Sequence, residues 1–223
     1  MSRTQDHQRG VPGAPRESVN LRTYFLTLQR TPERAEAIMR ELFRAGFQRP
    51  HCMLGVDAEQ GIDHLPWWRP ARATWLPRWG RLEPVIACAA SHLRIYADAL
   101  RRETAALIFE DDAHLLVPAE RFHAVLDEAP DGWDIVHFHD AAHYDAITFA
   151  PDGHTPNLRR LTVPGFDAVA YAISPSGIFK VMRAAYPLDR SIDVTIRQTA
   201  SLRIYRTREP FTSRDGSFAS GIR

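Results

Sequence analysis

The chain has 223 residues, of which 44% are hydrophobic and 25% are charged, and its formal net charge is +1. That length can bury a substantial core, and the composition is that of an ordinary globular protein rather than a fibrous or low-complexity chain. Because the net charge is close to zero, bulk charge gives no reason to expect nucleic acid or an anionic membrane as a partner.

Cysteine usage and the N-terminal segment favour the cytoplasm. Cys52 and Cys88 are far apart, which argues against a disulfide-built secreted scaffold and fits a reducing compartment. No stretch approaches the roughly 18 apolar residues of a membrane span. Residues 1–20 lack the apolar region of a secretory signal and predict a disordered tail. We therefore expect a cytoplasmic protein without a transmembrane segment, and a peripheral contact at the inner face of the membrane remains open.

Strands and helices alternate from Leu21 onward. The run LRTYFLTL predicts a strand, and the next segment predicts a helix with Thr31 as N-cap, Pro32 at its first position and Gly46 just beyond its end. A second short strand is expected in HCMLGVDA. The later predicted elements are a helix from Pro84, the strand AALIF, the helix PAERFHAVLDEA, the strands in GWDIVHFHD and VAYAIS, the helix SPSGIFKVMRAAY and the strand LRIYR.

This alternation indicates an α/β fold with a mainly parallel central sheet flanked by helices. The sequence has no internal repeat and no evident linker, so we expect residues 21–223 to form a single domain behind the disordered tail 1–20. Ligands of open α/β sheets bind beyond the carboxyl ends of the strands. Residues that directly follow a predicted strand are therefore the candidate site residues.

Three acids, Glu110, Asp111 and Asp112, follow the strand AALIF. Because side chains alternate along an extended chain, Glu110 and Asp112 should point to one side and Asp111 to the other. Two carboxylates on one side suit a hard cation such as Mg²⁺ or Mn²⁺, which stabilises the charge of a diphosphate leaving group. A solvated turn is the alternative. Metal-dependent phosphatases and nucleases also use carboxylates, but no glycine-rich phosphate loop is present.

A loop rich in tryptophan precedes the Pro84 helix. Trp67 and Trp68 lie among prolines and arginines without periodicity, which predicts a long loop. Sugars stack on aromatic rings, so both tryptophans are candidate acceptor-binding residues, in a platform or in a lid that closes over the donor. The rings could equally pack the loop onto the sheet.

The segment VHFHDAAHYD supplies further candidates. His137 and His139 share a strand face, which allows a zinc site, although no cysteine accompanies them. The preferred use of His139 is acceptor binding or proton transfer, since a neutral histidine titrates near operating pH. Asp140 is a candidate general base.

Several of these segments, taken in order, resemble glycosyltransferase family 25, the lipooligosaccharide-type β-galactosyltransferases. YFLTLQRTPERAEAI is similar to the family's first strand and helix, IACAASHLRIY to its I-G-C-x-x-S-H helix, and ALIFEDDAHL to its L-I-L-E-D-D metal segment. GVDA, WDIVHF, AYAISPSGIFKVM and SIDVTI resemble the remaining blocks. The chain departs from the pattern at Thr27, where Asn is usual, at Ala87, where Gly is usual, and at Val85, where an acid is usual, although Glu83 is nearby.

The resemblance implies a GT-A-like nucleotide-sugar fold, a UDP-sugar donor, most often UDP-galactose, a glycan or glycoconjugate acceptor, and inversion at the anomeric carbon. Inversion requires a base that takes the proton of the acceptor hydroxyl. Asp193 is the leading candidate for that base or for a second metal ligand, and Asp140 is its rival. Asp112 is the first choice as metal ligand, with Glu110 sharing Mn²⁺ or Mg²⁺ or contacting the donor ribose.

The predicted donor-binding residues lie at strand ends or in the matching blocks; they are Thr27, Leu28, Arg30, Asp57, Ser91, His92, Glu110 and Asp111. Arg30 follows a strand, where its guanidinium can pair with a diphosphate, or it is simply a surface arginine. Arg34 is interpreted as a helix-surface salt-bridge partner. Structural roles are the alternatives for His92 in the core, for Asp57 as a capping acid, and for Asp111.

Two other functions stay open at this point. The departures at Thr27, Val85 and Ala87 also fit a non-catalytic module that keeps the fold and binds a glycan or a partner enzyme. A metal-dependent phosphohydrolase is the third hypothesis. Nucleic-acid binding fits the arginine-rich loop locally but not the neutral chain as a whole.

Overall fold

The computed structural model describes residues 19–65, 82–139, 148–163 and 167–214, and the structural statements below concern these ranges. Within them the chain forms ten strands and five α-helices. The strands are β1 (Leu21–Thr27), β2 (His51–Leu54), β3 (Ala105–Glu110), β4 (Ala113–Leu115), β5 (Ile135–His137), β6 (Thr148–Phe149), β7 (Leu158–Val163), β8 (Ala170–Ile173), β9 (Ile204–Thr207) and β10 (Thr212–Arg214). The helices are α1 (Pro32–Arg44), α2 (Leu82–Arg101), α3 (Ala119–Glu128), α4 (Pro175–Ala184) and α5 (Ile192–Gln198).

Eight of the described strands form one mixed sheet in the order β2-β1-β3-β8-β5-β9-β7-β6, and β4 pairs with β10 in a separate two-stranded ribbon. The pairs β1/β2, β1/β3 and β5/β9 are parallel. β8 runs antiparallel to both β3 and β5, and β7 runs antiparallel to β9 and β6. The α/β class is therefore confirmed. The central sheet is mixed, and the reversed direction of β8 matters for the site.

Helices cover both faces of the sheet because buried side chains alternate along the strands. On β3, Ile108 packs in the core layer formed with α2, α4 and α5. Its neighbours Leu107 and Phe109 pack in the opposite layer, with α1 and α3. β3 is buried along five of its six residues. The last residue, Glu110, continues the alternation onto the α2 side of the sheet.

The predicted elements of the first half of the chain agree with the structure. β1 ends at Thr27, one residue before the predicted end, and α1 begins at Pro32 as predicted. Gly46 lies beyond α1 with a φ of +98°, a conformation that favours glycine. Thr31 occupies the N-cap position, but its hydroxyl donates to Leu28 O, 3.2 Å away, instead of capping the helix. At α4 the predicted cap forms, since Ser174 Oγ accepts from Gly177 N at 3.1 Å.

The sequence did not predict several short elements, which are β4, β6, β7, β10 and α5. None of the helices in the described ranges combines the length and the apolar composition needed to cross a bilayer. Residues 1–18 lie outside the described ranges, so the disordered tail stays a prediction.

Candidate active site

The acids that follow β3 separate onto two sides, as the strand alternation predicts. Glu110 faces α2, where its Oε1 lies 3.2 Å from His92 Nε2. Asp111 faces α1, where it accepts a hydrogen bond from Thr27 Oγ1 at 2.9 Å and pairs with Arg34. The parallel strands β1 and β3 end side by side, so Thr27 is within reach of the acids.

Arg34 is not the surface residue that the sequence suggested. Its side chain is only 13% exposed, and the Asp111 carboxylate that it pairs with is 11% exposed. The helix-surface interpretation is therefore wrong, because the first turn of α1 lies directly over the end of β3. This largely buried pair fixes Asp111 on the α1 side of the sheet, away from Glu110.

A chain of hydrogen bonds on the α2 side of the sheet holds Glu110 in place. His92 is fully buried on α2, and its Nδ1 lies 2.8 Å from the hydroxyl of Tyr171 on β8. That hydroxyl is 2.6 Å from the hydroxyl of Tyr96, which is also fully buried. Burial opposes ionisation of Glu110, but the hydrogen bond from His92, together with the positive charges of His92, Arg214 and Arg34, outweighs it and lowers the pKa of this carboxyl. Glu110 is thus an oriented, ionised carboxylate.

The pKa of Asp112, unlike that of Glu110, is raised. Burial, with the charge of Glu110 added, raises its pKa to about 7. Its Oδ1 is buried and has no hydrogen-bond partner among the described residues. Its Oδ2 lies 3.5 Å from Arg214 Nε. A buried carboxylate oxygen without a hydrogen-bond partner destabilises the fold unless a bound ligand supplies the missing contact.

Two further acids converge on Glu110 from other parts of the chain. Asp193 lies in the first turn of α5 and has a buried Oδ1 without a hydrogen-bond partner in the described ranges. Burial raises its pKa well above the usual value, and the charges of Glu110 and Asp167 add to the effect. Burial likewise raises the pKa of Asp167, again with a contribution from Glu110. The candidate site is therefore a group of four carboxylates, which are Glu110, Asp112, Asp167 and Asp193.

Asp167 was not predicted, and the direction of β8 explains why. Phe109 on β3 lies opposite Ala170 on β8 in an antiparallel register. The start of β8 therefore reaches the edge where β3 ends, and Asp167 arrives beside the acids. If β8 were parallel to β3, the residues before β8 would lie at the opposite edge of the sheet, away from the acids. No signal in the sequence distinguishes the two directions.

Arg214 supplies positive charge to this group and was also missed. Its Nη2 donates to both oxygens of Asp167, at 2.8 and 3.0 Å. β10 holds it there by pairing antiparallel with β4, in a register that places Arg214 opposite Ala113. Both strands have three residues and mixed polarity, so no periodic pattern could have revealed them.

The residues present fit a hard divalent cation. Mg²⁺ and Mn²⁺ take oxygen ligands, and Asp112 offers a buried oxygen without a partner, next to the ionised Glu110. Within the described ranges, Cys88, His92 and Glu110 make the one group of three side chains whose ligand atoms all lie within 4.8 Å of one another. Burial raises the pKa of the Cys88 thiol well above its usual value, with the nearby carboxylates adding to the shift. A protonated thiol is a poor ligand, so the carboxylates are the better ligands.

His137, at the end of β5, and His139, just beyond it, do not belong to a compact metal group in the described part of the chain. Burial, with the charge of Arg206 adding to it, lowers the pKa of His137 to about 3. His139 lies at the margin of the acidic group, with Nε2 3.8 Å from Asp167 Oδ2. It is thus near the carboxylates, and its role in acceptor binding stays a prediction.

Arg30 and Asp57, both predicted to bind the donor, form an ion pair with Arg30 Nε 2.9 Å from Asp57 Oδ2. Asp57 also caps a short 3₁₀ helix, Ala58–Gln60, by accepting from Glu59 N at 3.1 Å. The pair lies just beyond β1 and β2, whose parallel strands end at the same edge as β3.

Ser91 and Leu28 have packing contacts at that edge. Ser91 Oγ accepts from Val56 N and donates to Ala87 O, both at 2.7 Å. A Cβ at Gly55 would lie 3.0 Å from Ser91 Oγ and 3.2 Å from Leu28 Cδ2, so the chain after β2 packs closely against both. The predicted site residues Asp140, Trp67 and Trp68 lie outside the described residues.

Comparison with known proteins gives one family match. The model of the family described as "Glycosyltransferase family 25 (LPS biosynthesis protein)" matches residues 83–196, slightly more than half of the chain. The match includes all of α2 except its first residue, the acids at and after the end of β3, Asp167 and Asp193, and it ends before Arg214. No curated protein matches the chain. Among solved structures, "Crystal Structure of A197 from STIV" is similar over 86% of this chain and 83% of that one, with 11% identity and a TM-score of 0.45, a likeness too remote to carry an argument.

Proposed function

The chain belongs to glycosyltransferase family 25, and from that premise we propose that it transfers a sugar from a UDP-sugar donor to a glycan or glycoconjugate acceptor, with a divalent cation and with inversion at the anomeric carbon. Family membership implies glycosyltransferase activity. The donor, the cation and the stereochemistry are our proposals, and galactose is the sugar that the sequence resemblance indicates.

The observation that carries the proposal is the state of Asp112. It is 8% exposed, it lies beside the ionised Glu110, and its Oδ1 has no partner among the described side and main chains. Two carboxylates held together near the protein interior repel each other unless a cation lies between them. This arrangement lies at the carboxyl end of β3, where ligands of open α/β sheets bind, and it supports a metal-dependent nucleotide-sugar site.

Asp112 and Glu110 are the residues that would hold Mn²⁺ or Mg²⁺. When bound, the cation neutralises the negative charge that develops on the departing diphosphate. The protein's contribution is to fix the two carboxylates in advance. His92 orients Glu110 from α2, and the buried Arg34–Asp111 pair anchors the turn between them.

Asp193 is the proposed base. A general base works best when its pKa lies nearer neutrality than that of an ordinary carboxyl. Burial raises the pKa of Asp193 well above that value, and the charges of Glu110 and Asp167 raise it further. Its Oδ1, without a hydrogen-bond partner in the described ranges, is available to accept the proton of an acceptor hydroxyl. Asp140 is the alternative base carried over from the sequence.

The remaining predicted residues divide between donor and acceptor. The Arg30–Asp57 pair beyond β1 and β2 can contact the nucleotide by exchanging part of its internal pairing for contacts with the ribose or phosphates. His139, beside Asp167, is the proposed acceptor contact on the other side of the acids. Trp67 and Trp68 remain proposed acceptor residues.

The test is UDP release from a panel of UDP-sugars in the presence of Mn²⁺ and candidate glycan acceptors. Asp112→Asn keeps the shape of the side chain but removes its charge, and we expect it to lower kcat/KM by at least about a hundredfold, the scale of losing one group that stabilises developing charge. Asp127→Asn is the matched control, because Asp127 is an exposed aspartate on α3 and should leave turnover unchanged.

Three outcomes would contradict the proposal. One is that no nucleotide sugar is turned over while a glycan binds tightly in EDTA, which would identify a non-catalytic binding module. Another is release of inorganic phosphate from simple esters, which would identify a phosphohydrolase. The third is an Asp112→Asn enzyme that turns over like the wild type.

A further inference from the structure

Arg214 holds two of the four clustered carboxylates at once. Its Nη2 donates to both oxygens of Asp167, and its Nε lies 3.5 Å from Asp112 Oδ2. The ribbon that β10 forms with β4 carries this guanidinium to the turn that follows β3. Arg214 therefore makes contact with the same carboxylate, Asp112, that is proposed to bind the divalent cation.

The positive charge of Arg214 acts directly on both of its partners. The guanidinium contacts the carboxylates of Asp167 and Asp112 and compensates part of their negative charge. Removing this charge would leave the carboxylates with less compensation, and a metal ion would then find a more negative site.

Arg214 differs from the other nearby arginine in its exposure to solvent. The Arg34 side chain is 13% exposed and pairs with a carboxylate that is equally buried. The Arg214 side chain is 49% exposed, so a change of partner costs the guanidinium itself little desolvation. A guanidinium presents the same hydrogen-bond geometry to a carboxylate and to a phosphate. The contacts that Arg214 makes with Asp167 are therefore of a kind that a diphosphate can replace.

We propose that Arg214 is an exchangeable counter-ion: it neutralises Asp112 and Asp167 in the metal-free protein, yields Asp112 when the divalent cation binds, and then binds the diphosphate of the donor. This inference rests on the proposed function, since it assumes a cation at Asp112 and a nucleoside diphosphate beside it. It adds a residue outside the segment matched by the family model.

The first measurement is calorimetric titration of the full chain with Mn²⁺ alone. Arg214→Gln removes the competing charge, so we expect Mn²⁺ to bind about tenfold more tightly than to the wild type. Arg208→Gln is the matched control. Arg208 is exposed, and the partner of its Nη2 is the carbonyl of Thr155, 3.2 Å away, so its loss should not change the affinity for Mn²⁺.

The second measurement is titration with UDP at saturating Mn²⁺. Here the same variant should bind about tenfold more weakly than the wild type, because the diphosphate has lost a charged hydrogen-bond donor. The opposite signs of the two effects distinguish an exchangeable counter-ion from a residue that merely supports the fold. Arg214→Lys keeps the charge without the planar fork and should show smaller shifts in the same directions, which keeps the test usable if Arg214→Gln unfolds.

Either of two results overturns the inference. One is that Arg214→Gln binds Mn²⁺ no more tightly than the wild type, and the other is that it binds UDP with unchanged affinity at saturating Mn²⁺. In both cases the wild type still binds Mn²⁺ and UDP, so the proposed function stands. If neither protein binds Mn²⁺, the proposed metal dependence fails together with this inference.

Discussion

Tyr171 on β8 places its hydroxyl 2.8 Å from Nδ1 of His92 on α2, and the same hydroxyl lies 2.6 Å from that of Tyr96. His92 in turn contacts Glu110, the last residue of β3. A buried chain of hydrogen bonds thus connects β8, the strand next to β3, with the carboxylate of Glu110 in the candidate site. Such a network stabilises the protein only if each member keeps its partners.

Tyr171→Phe should therefore destabilise the fold. The substitution removes one hydroxyl and leaves Tyr96 and His92 each short of a buried partner, at an expected cost of about 1–3 kcal/mol in the free energy of unfolding. Urea denaturation would measure it. Tyr186→Phe is the control, because Tyr186 is 62% exposed and should lie within about 0.5 kcal/mol of the wild type. Equal stabilities for the two variants would show that the buried network contributes nothing.

Arg34→Gln tests whether the Arg34–Asp111 pair is buried. Removing the arginine leaves the buried Asp111 carboxylate without its counter-ion and with the Thr27 hydroxyl as a neutral partner, which should cost about 3 kcal/mol. Arg40→Gln is the matched change on the same helix, since Arg40 pairs with Glu36 at a distance of 3.7 Å with both side chains largely exposed. That variant should cost less than about 0.5 kcal/mol. If chemical denaturation gave similar small losses for both, Arg34 would be the surface residue that the sequence suggested.

His137 should make the protein sensitive to acid. Burial holds its folded pKa at about 3, below the value of about 6.5 expected in the unfolded chain. As the pH falls below about 6.5, the unfolded state binds a proton that the folded state does not, so this contribution to stability is lost progressively towards pH 3. At pH 4.5 the loss should amount to about 2–3 kcal/mol.

His137→Asn removes that titration, so its stability should fall less steeply between pH 6.5 and pH 4.5 than that of the wild type. His123→Gln, which changes an exposed histidine on α3, should keep the wild-type slope. Denaturation curves recorded across this pH range would decide. Parallel slopes for wild type and His137→Asn would mean that His137 is protonated in the folded state.

Gly177→Ala should be destabilising although alanine is the better helix former. A Cβ at Gly177 would lie 2.5 Å from the carbonyl oxygen of Asp134 and 3.0 Å from Ile173 Cγ1. Because the nearest atom is backbone, the start of α4 must shift, at a cost of about 1–3 kcal/mol. Helix propensity alone predicts a gain of about 1 kcal/mol. The sign of the change in the midpoint of thermal unfolding separates the two effects, and an increase would contradict the close packing.

The parts of the fold that the sequence predicted depend on local signals. The strand β1, the proline at the start of α1, the glycine after it and the Ser174 cap each act within a few residues. The position of Glu110, Asp111 and Asp112 at the end of β3 follows from one buried run of side chains. These features need no knowledge of what lies across the sheet.

The parts that it could not predict depend on pairing between distant segments. Asp167 reaches the acids because β8 is antiparallel to β3, and Arg214 reaches them because β10 pairs with β4. Short strands of three or four residues carry too little periodicity to fix their direction or partner. Likewise, no sequence signal near Arg34 indicates that α1 packs against the end of β3, where Arg34 pairs with Asp111. Two of the five charged groups in the candidate site, Asp167 and Arg214, thus come from contacts that only the folded chain reveals.

The most direct test of the central claim is calorimetric titration with UDP in Mn²⁺ and again in EDTA, for the wild type and for Asp112→Asn. We expect the wild type to bind UDP at least about tenfold more tightly with Mn²⁺ than in EDTA, and Asp112→Asn to lose that difference. Equal UDP affinity with and without the metal, or an undiminished metal effect in Asp112→Asn, would contradict a divalent cation at the end of β3.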